Sequence, residues 1–243
     1  MVKEIRNIVV LTGAGISAES GLNTFRAADG LWEDHRVEDV ATPEAFVHDP
    51  ALVHRFYDAR RARLAEVEPN PAHAALARLD AEWPGDLLIV TQNVDDLHER
   101  AGAKRLLHMH GELKSGWCQS CEERFTWDGG MGEAACCPVC AAVGGVRPDI
   151  VWFGEMPYEM ERIEMALMRT DLFVSIGTSG AVYPAAGFVQ TARYRGANTL
   201  EINLEPSQGS IFFDERRFGP AGAEVPGWVE EVLQSAQSSP ISS

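Results

Sequence analysis

Ile8-Val9-Val10-Leu11, near the start of the chain, is apolar at every position, the pattern expected of a strand buried on both faces of a parallel sheet. Sheet-like runs recur at Leu87-Leu88-Ile89-Val90, Leu172-Phe173-Val174-Ser175-Ile176 and Thr199-Leu200-Glu201-Ile202-Asn203-Leu204. Between the first two the pattern turns helical. One helix is predicted over roughly Pro50 to Glu68, and another around Ala72 to Leu79 after the break at Asn70-Pro71. The fold class is therefore α/β. Each run ends in polar or glycine residues: Thr12-Gly13, Thr91-Gln92-Asn93, Gly177-Thr178-Ser179 and Glu205-Pro206-Ser207. Ligands of open parallel sheets bind outside the carboxyl ends of the strands, so these four ends are expected to converge on one crevice. No internal repeat is evident, and residues 235–243, small and polar, are expected to be a disordered tail.

Composition narrows the class. With 243 residues and 45% hydrophobic content, the chain fits one large domain or a domain carrying insertions. The formal net charge of -15 argues against a nucleic-acid surface, which needs clustered Lys and Arg. No apolar run approaches the roughly 20 residues of a membrane span, and Met1-Val2-Lys3-Glu4-Ile5 lacks a signal-peptide pattern. A cytoplasmic location is expected, without membrane partners. Five cysteines, one left over from a metal-like spacing, suit a reducing compartment.

Three features carry chemistry. Gly13, Gly15 and Ala18 match a G-x-G-x-x-A turn, in which the first glycine allows a tight turn, the second admits a pyrophosphate, and the small third residue packs a helix close. The acidic second strand that a dehydrogenase would place about 20 residues later is missing. Cys118, Cys121, Cys137 and Cys140 form two Cys-x2-Cys pairs separated by 15 residues, a four-sulfur shell suited to structural zinc with no open position for substrate. Cys136 could replace Cys137 by pairing with Cys140; the symmetric spacing favours Cys137. A redox Cys-x2-Cys is the competing reading, which the second pair disfavours. The third feature is the turn Leu107-His108-Met109-His110-Gly111-Glu112.

Taken in order, these motifs resemble the sirtuin family. The segments that carry the resemblance are Gly13 to Gly21, Thr24-Phe25-Arg26, Thr91 to Asp95, His108 to Gly111, the four cysteines, Val151-Trp152-Phe153-Gly154-Glu155, Gly177-Thr178-Ser179 and Asn203-Leu204-Glu205. One departure is Asn23, where the family commonly has proline. The resemblance implies a Rossmann-like NAD domain over residues 1–30, 82–113 and 146–234, with a smaller lobe made of a helical insertion (31–81) and a zinc ribbon (114–145). It implies an NAD-dependent protein-lysine deacylase, in which NAD is consumed, nicotinamide is released and ADP-ribose accepts the acyl group. Acylated lysines of proteins or peptides would be the partners. A mono-ADP-ribosyltransferase and a non-enzymatic NAD-sensing module are the alternatives.

The same resemblance assigns roles. His110 is the expected general base, since an imidazole titrates near neutrality and can take a proton from a ribose hydroxyl; His108 and His98 are read as structural or supporting. Asn93 joins His110 in catalysis, and Gln92, Asn93 and Asp95 hold ribose and the nicotinamide carboxamide. Gly13, Ala14, Gly15, Ser17, Ala18, Phe25, Arg26, Trp32, Gly177, Thr178 and Ser179 are assigned to the cofactor, with Asn203, Leu204, Glu205 and the backbone near Ala221 at its adenosine end. Glu19 is read as a first-turn carboxylate. Val151, Phe153, Gly154 and Glu155 are expected to form an extended segment that pairs with the substrate backbone. Tyr57 and Arg60 stand i, i+3 on the predicted helix. A core tyrosine and a solvated arginine would explain them, but the Tyr-x-x-Arg pair resembles the class III acyl channel, where a guanidinium fork suits an acyl chain ending in carboxylate. That implies action on succinyl and malonyl as well as acetyl groups.

Overall fold

The computed structural model describes residues 5–23, 31–32 and 35–238, with Leu31, Trp32 and Ser238 described by backbone only. In chain order its elements are β1 (Asn7–Thr12), β2 (Leu31–Trp32), β3 (His35–Arg36), α1 (Val37–Val40), α2 (Pro43–His48), α3 (Pro50–Leu64), α4 (Pro71–Glu82), β4 (Asp86–Thr91), α5 (Leu97–Ala101), β5 (Leu106–His108), β6 (Gly111–Cys118), β7 (Arg124–Thr126), β8 (Val146–Ile150), α6 (Met160–Arg169), β9 (Leu172–Ile176), α7 (Phe188–Tyr194), β10 (Asn198–Asn203), β11 (Glu215–Phe218) and α8 (Ala221–Ser238).

The unbroken apolar runs become central strands because each has a core on both sides. A parallel sheet has the order β11-β10-β9-β1-β4-β5, with Val9 of β1 opposite Leu88 on one side and Phe173 on the other. Ile8 and Val10 point into a cluster with Leu76, Leu79 and Trp228 from α4 and α8. Val9 and Leu11 point the opposite way, towards Ile163 of α6 and Phe188 of α7. Successive side chains therefore all need to be apolar. The chain leaves β1 towards β4 and later returns to build β9, β10 and β11 on its other side, so the strand order reverses between β1 and β9. Such a reversal opens a crevice at the carboxyl ends.

Two smaller clusters sit beyond those ends. One joins α1, α2 and α3 to Leu113, Ile150 and Trp152. The other belongs to the ribbon of β6, β7 and β8 and contains only Cys118, Met131, Ala135, Cys137 and Val146 as fully buried members. So small a cluster calls for a further staple.

Local chemistry explains the helix boundaries. α3 opens on Asp49, whose side chain accepts from the Leu52 N–H, with Pro50 in the first turn. It ends at Leu64 rather than near Glu68, and Asn70 caps α4 through a box with His73. The glycine turn does not open a regular helix. Ile16 N–H bonds Gly13 O and Ser17 N–H bonds Ala14 O, giving 3-10 turns at Ala14–Ile16 and Ala18–Ser20. Gly15 N–H is tied to Gly177 O at 2.9 Å, which holds the loop against the end of β9.

The tail expectation needs correction. α8 continues through Ser235 to Ser238, because Trp228, Val229, Val232, Leu233 and Ala236 repeat at helical spacing and pack on the sheet. Residues 239–243 lie outside the described residues.

Candidate functional site

A cavity of about 1150 Å³ opens at the strand reversal, between the sheet ends and the helical insertion. It is lined by Gly13, Ala14, Gly15, Ser17 and Ala18 after β1, by Gln92, Asn93 and Asp95 after β4, and by His110 after β5. Gly177, Thr178 and Ser179 after β9, Asn203, Leu204 and Glu205 after β10, and Ala221 at the start of α8 complete that wall. Tyr57 and Arg60 of α3 and Val151, Phe153, Gly154 and Glu155 close the opposite side. Phe25 and Arg26 lie outside the described residues, as does the side chain of Trp32, whose backbone forms β2.

The glycines admit close packing. A Cβ on Gly15 would stand 2.7 Å from Gly177 Cα, and Gly177 itself has φ of +63°. Both positions therefore need glycine. Glu19 does more than sit in a first turn: its carboxylate accepts from Gly222 N–H at 2.8 Å, fastening the loop to α8 beside Ala221. Asn203 Nδ2 donates to Thr178 O at 2.7 Å and joins the ends of β9 and β10.

His110 is held by both its main chain and its ring. Its carbonyl accepts from Val151 N–H, and Nδ1 lies 3.1 Å from the Gln92 carbonyl. A carbonyl only accepts, so Nδ1 carries the proton and Nε2 presents its lone pair. Burial pushes the imidazole below its ordinary value, partly offset by the Gln92 contact, so the ring is neutral at pH 7.

Asn93, Ser17 and Asp95 form one network. Asn93 Nδ2 donates to Gly13 O (3.2 Å) and Ser17 Oγ (3.1 Å), and Ser17 donates to Asp95 Oδ2 at 3.0 Å. Asp95 is 6% exposed, and burial raises its carboxyl against the Leu97 N–H and Ser17 hydroxyl that favour the anion. His73 enters from α4. Its Nδ1 accepts from Asn70 N–H, so the proton is on Nε2, which lies 3.4 Å from Ser17 Oγ, and burial depresses the ring to about 4. The sequence gives no signal for His73 as a partner of the loop, because the contact spans 56 residues.

The segment after β8 departs from expectation. Val151 N–H bonds His110 O, Phe153 N–H bonds Ala41 O, Glu155 N–H bonds Trp152 O, and Trp152 N–H bonds the Glu155 carboxylate. With Gly154 at φ +91°, the segment is a turn and not an extended strand. Glu155 is committed elsewhere: burial would raise its carboxyl, but two contacts to Arg147, at 2.7 and 3.0 Å, and the Trp152 N–H hold it below the usual value. The Arg147 guanidinium lies 3.3 Å over the Trp152 ring, and the Trp152 indole N–H donates to the Tyr57 hydroxyl at 2.9 Å. Neither Arg147 nor that indole bond is visible to residue spacing. Tyr57 is fully buried and Arg60 half-buried beside Phe56.

In the ribbon, Cys118, Cys121, Cys137 and Cys140 bring their sulfurs within 4.8 Å of one another. The Cys118–Cys140 and Cys121–Cys137 distances are 3.7 and 3.8 Å, too long for disulfides. They match the edge of about 3.8 Å of a sulfur tetrahedron with arms near 2.3 Å, the zinc–sulfur length. The cluster fits a structural zinc. Cys136 is exposed, its sulfur near Ala141 O and outside the cluster, so Cys137 is the fourth member of that set.

The Sir2 family description matches residues 13–184. A curated protein from Bdellovibrio bacteriovorus, named NAD-dependent protein deacylase, is 58% identical over 231 residues, covering 94% of this chain and 97% of the relative. One of the same name from Vibrio vulnificus is 56% identical over 235 residues, covering 96% of each. Among solved structures, a Sir2 homologue–NAD complex is 37% identical with a TM-score of 0.86 over 96% of this chain and 91% of that one. A Sir2–p53 peptide–NAD+ complex is 27% identical with a TM-score of 0.77 over 97% and 95%. With a family match over residues 13–184 and a curated relative 58% identical over nearly the whole chain, the chain belongs to the Sir2 family.

Proposed function

We propose that this chain is an NAD-dependent protein-lysine deacylase that acts on succinyl and malonyl lysines and also on acetyl lysine. The observation that carries the reading is the orientation of His110, whose Nδ1 proton is fixed on the Gln92 carbonyl so that a basic Nε2 is left at the cavity. The space suits two substrates: about 1150 Å³ exceeds the roughly 300–1,000 Å³ of a single small-molecule pocket. NAD, when bound, supplies an activated ribose carbon from which nicotinamide leaves and the hydroxyls that receive the acyl group. Gly13, Ala14, Gly15, Ser17 and Ala18 would hold its diphosphate, and Thr178, Ser179, Asn203, Leu204, Glu205 and Ala221 its adenosine. Gln92, Asn93 and Asp95 would orient the nicotinamide ribose.

His110 would take a ribose proton at Nε2. The imidazolium so formed keeps its Nδ1–H on a carbonyl dipole, which stabilises the charge as it develops. Arg60 would meet an acyl carboxylate with its guanidinium. The peptide backbone would pair chiefly with carbonyls of the 151–155 turn, since four of its N–H groups are already used. We propose the division into a sheet domain (1–30, 82–113, 146–234, carried on to 238 by α8), a helical insertion (31–81) and a ribbon (114–145), and a reducing, cytoplasmic setting that keeps the four thiols free for metal. The net charge of -15 disfavours nucleic acid as a partner, and no helix among the described residues is long and apolar enough to cross a membrane.

Matched acetyl, succinyl and malonyl peptides incubated with NAD test the reading. Acyl-ADP-ribose and free nicotinamide are expected in equal amounts. ADP-ribose attached to protein would instead support a mono-ADP-ribosyltransferase, and NAD binding without turnover a sensing module.

A further inference from the structure

His108 ends β5, two residues before His110, yet it does not line the cavity. Its Nδ1 lies 3.0 Å from the main-chain carbonyl of Asn93, and its Nε2 lies 2.6 Å from a carboxylate oxygen of Glu99 on α5. A carbonyl accepts and never donates, and so does an ionised carboxylate. With Glu99 ionised, both ring nitrogens carry protons at once, which makes the ring an imidazolium. Its side chain is 8% exposed, so the charge is retained only because it is paired.

We infer that His108 is a positioning residue for the proposed reaction, a buried imidazolium paired with Glu99 that clamps the main chain of Asn93 against the cavity. Asn93 is otherwise held by its own N–H on Thr91 Oγ1 at 3.0 Å and by its amide on Gly13 and Ser17. The His108 bond fixes its last backbone group and, with it, the turn that carries Asp95. The charged and titratable groups that face the ring are Glu99 and His98 on α5, Glu112 on β6, and Asp95 in the loop after β4. Glu112 and Glu99 favour the cation, and the cation in turn favours the anion of buried Asp95. Burial is the largest single influence and would lower the ring's value, but the Glu99 contact and charge, the Glu112 charge and the Asn93 carbonyl together outweigh it and leave the ring raised.

The sign follows. A raised histidine delivers its contribution fully below its ordinary value and loses it as pH rises through the raised one. His110 behaves oppositely, since its depressed value removes the base as pH falls. Two histidines, two residues apart, would thus set the two limbs of one bell-shaped profile.

The inference rests on the deacylase reading for its kinetic arm and on none of it for its spectroscopic arm. In 15N NMR of the zinc-loaded chain, the His108 ring, assigned by its loss in His108→Gln, is expected to hold protons on both nitrogens at pH 7. Glu99→Gln should lower its titration by about one pH unit or more. In NAD-dependent deacylation, Glu99→Gln should shift the alkaline limb of kcat/KM down by the same amount. His108→Gln, which keeps an amide donor for Asn93 but cannot titrate, should lose that limb and about tenfold in kcat/KM. A ring that is neutral at pH 7, with the proton on Glu99, would overturn the inference, as would an alkaline limb unchanged in both variants. Should the chain turn over no acyl peptide, the function proposal fails by itself and the NMR titration still decides the state of His108.

Discussion

One hydrogen bond determines which nitrogen of His110 can act, and the rest of its environment determines when. Because the Gln92 carbonyl holds the Nδ1 proton, His110→Ala is expected to abolish acyl turnover with little change in Tm or in NAD binding by calorimetry; a Tm fall typical of core damage would argue against the role. The depressed value of His110 places the acid limb of kcat/KM below 6.5, with activity lost as pH falls through it. His73 makes a related statement about stability. It is neutral and buried when folded, held down to about 4 against 6.5 unfolded. The unfolded chain therefore binds the extra proton in that window, and stability drops as pH falls from 6.5 towards 4, by on the order of 3 kcal/mol for this group. Urea unfolding at several pH values should show a drop that is shallower in His73→Asn than in the parent.

At the scale of elements, α3 would link acyl selectivity, as proposed for Arg60, to packing. Arg60→Met keeps length and removes the fork, so desuccinylation should fall about 10- to 100-fold in kcat/KM while deacetylation changes far less. Equal losses on both peptides would withdraw the class III assignment. Tyr57→Phe should behave differently, because its hydroxyl accepts the Trp152 indole N–H. Removing it orphans a buried donor, costs about 1–3 kcal/mol of stability and lowers turnover of both acyl types. How much of this was legible in the sequence depends on range. Strands β1, β4, β9 and β10 were readable because burial on two faces writes itself into consecutive residues. The start of α4 was readable because Asn70 and Pro71 act locally. The pairing of the Glu155 side chain with Arg147 was not legible, because Arg147 is a cation inside a strand, stacked on Trp152, and no periodicity reports that. The continuation of α8 was hidden behind small polar residues whose neighbours Leu233 and Ala236 pack on the sheet.

Across the whole molecule, the ribbon is tied to α3, the helix that carries Tyr57 and Arg60 to the cavity. Asp58 of α3 accepts from both Arg61 and Met131 N–H, and Arg61 Nε donates to Leu113 O at 2.7 Å. Since the ribbon's cluster is too small to fold unaided, zinc supplies its folding energy. Exhaustive chelation is therefore expected to release one zinc per chain, melt the ribbon by NMR, and weaken succinyl turnover through loss of the Asp58 anchor. Full activity after metal removal would contradict it.

The ribbon also leaves and rejoins the sheet domain at one seam, with Gly111 paired to Ile150 and His110 O bonded to Val151 N–H. The two ends of the inserted chain are thus neighbours before any ribbon forms, and closing so short a gap costs almost the same entropy whatever length lies between. For engineering and for descent, this makes the ribbon an exchangeable cassette: a longer, shorter or metal-free module could be spliced at Gly111 and Asp149 without altering the strand order behind it, provided that it replaced the contacts of Met131 and Leu113 with α3 and of Arg147 with Glu155 and Trp152.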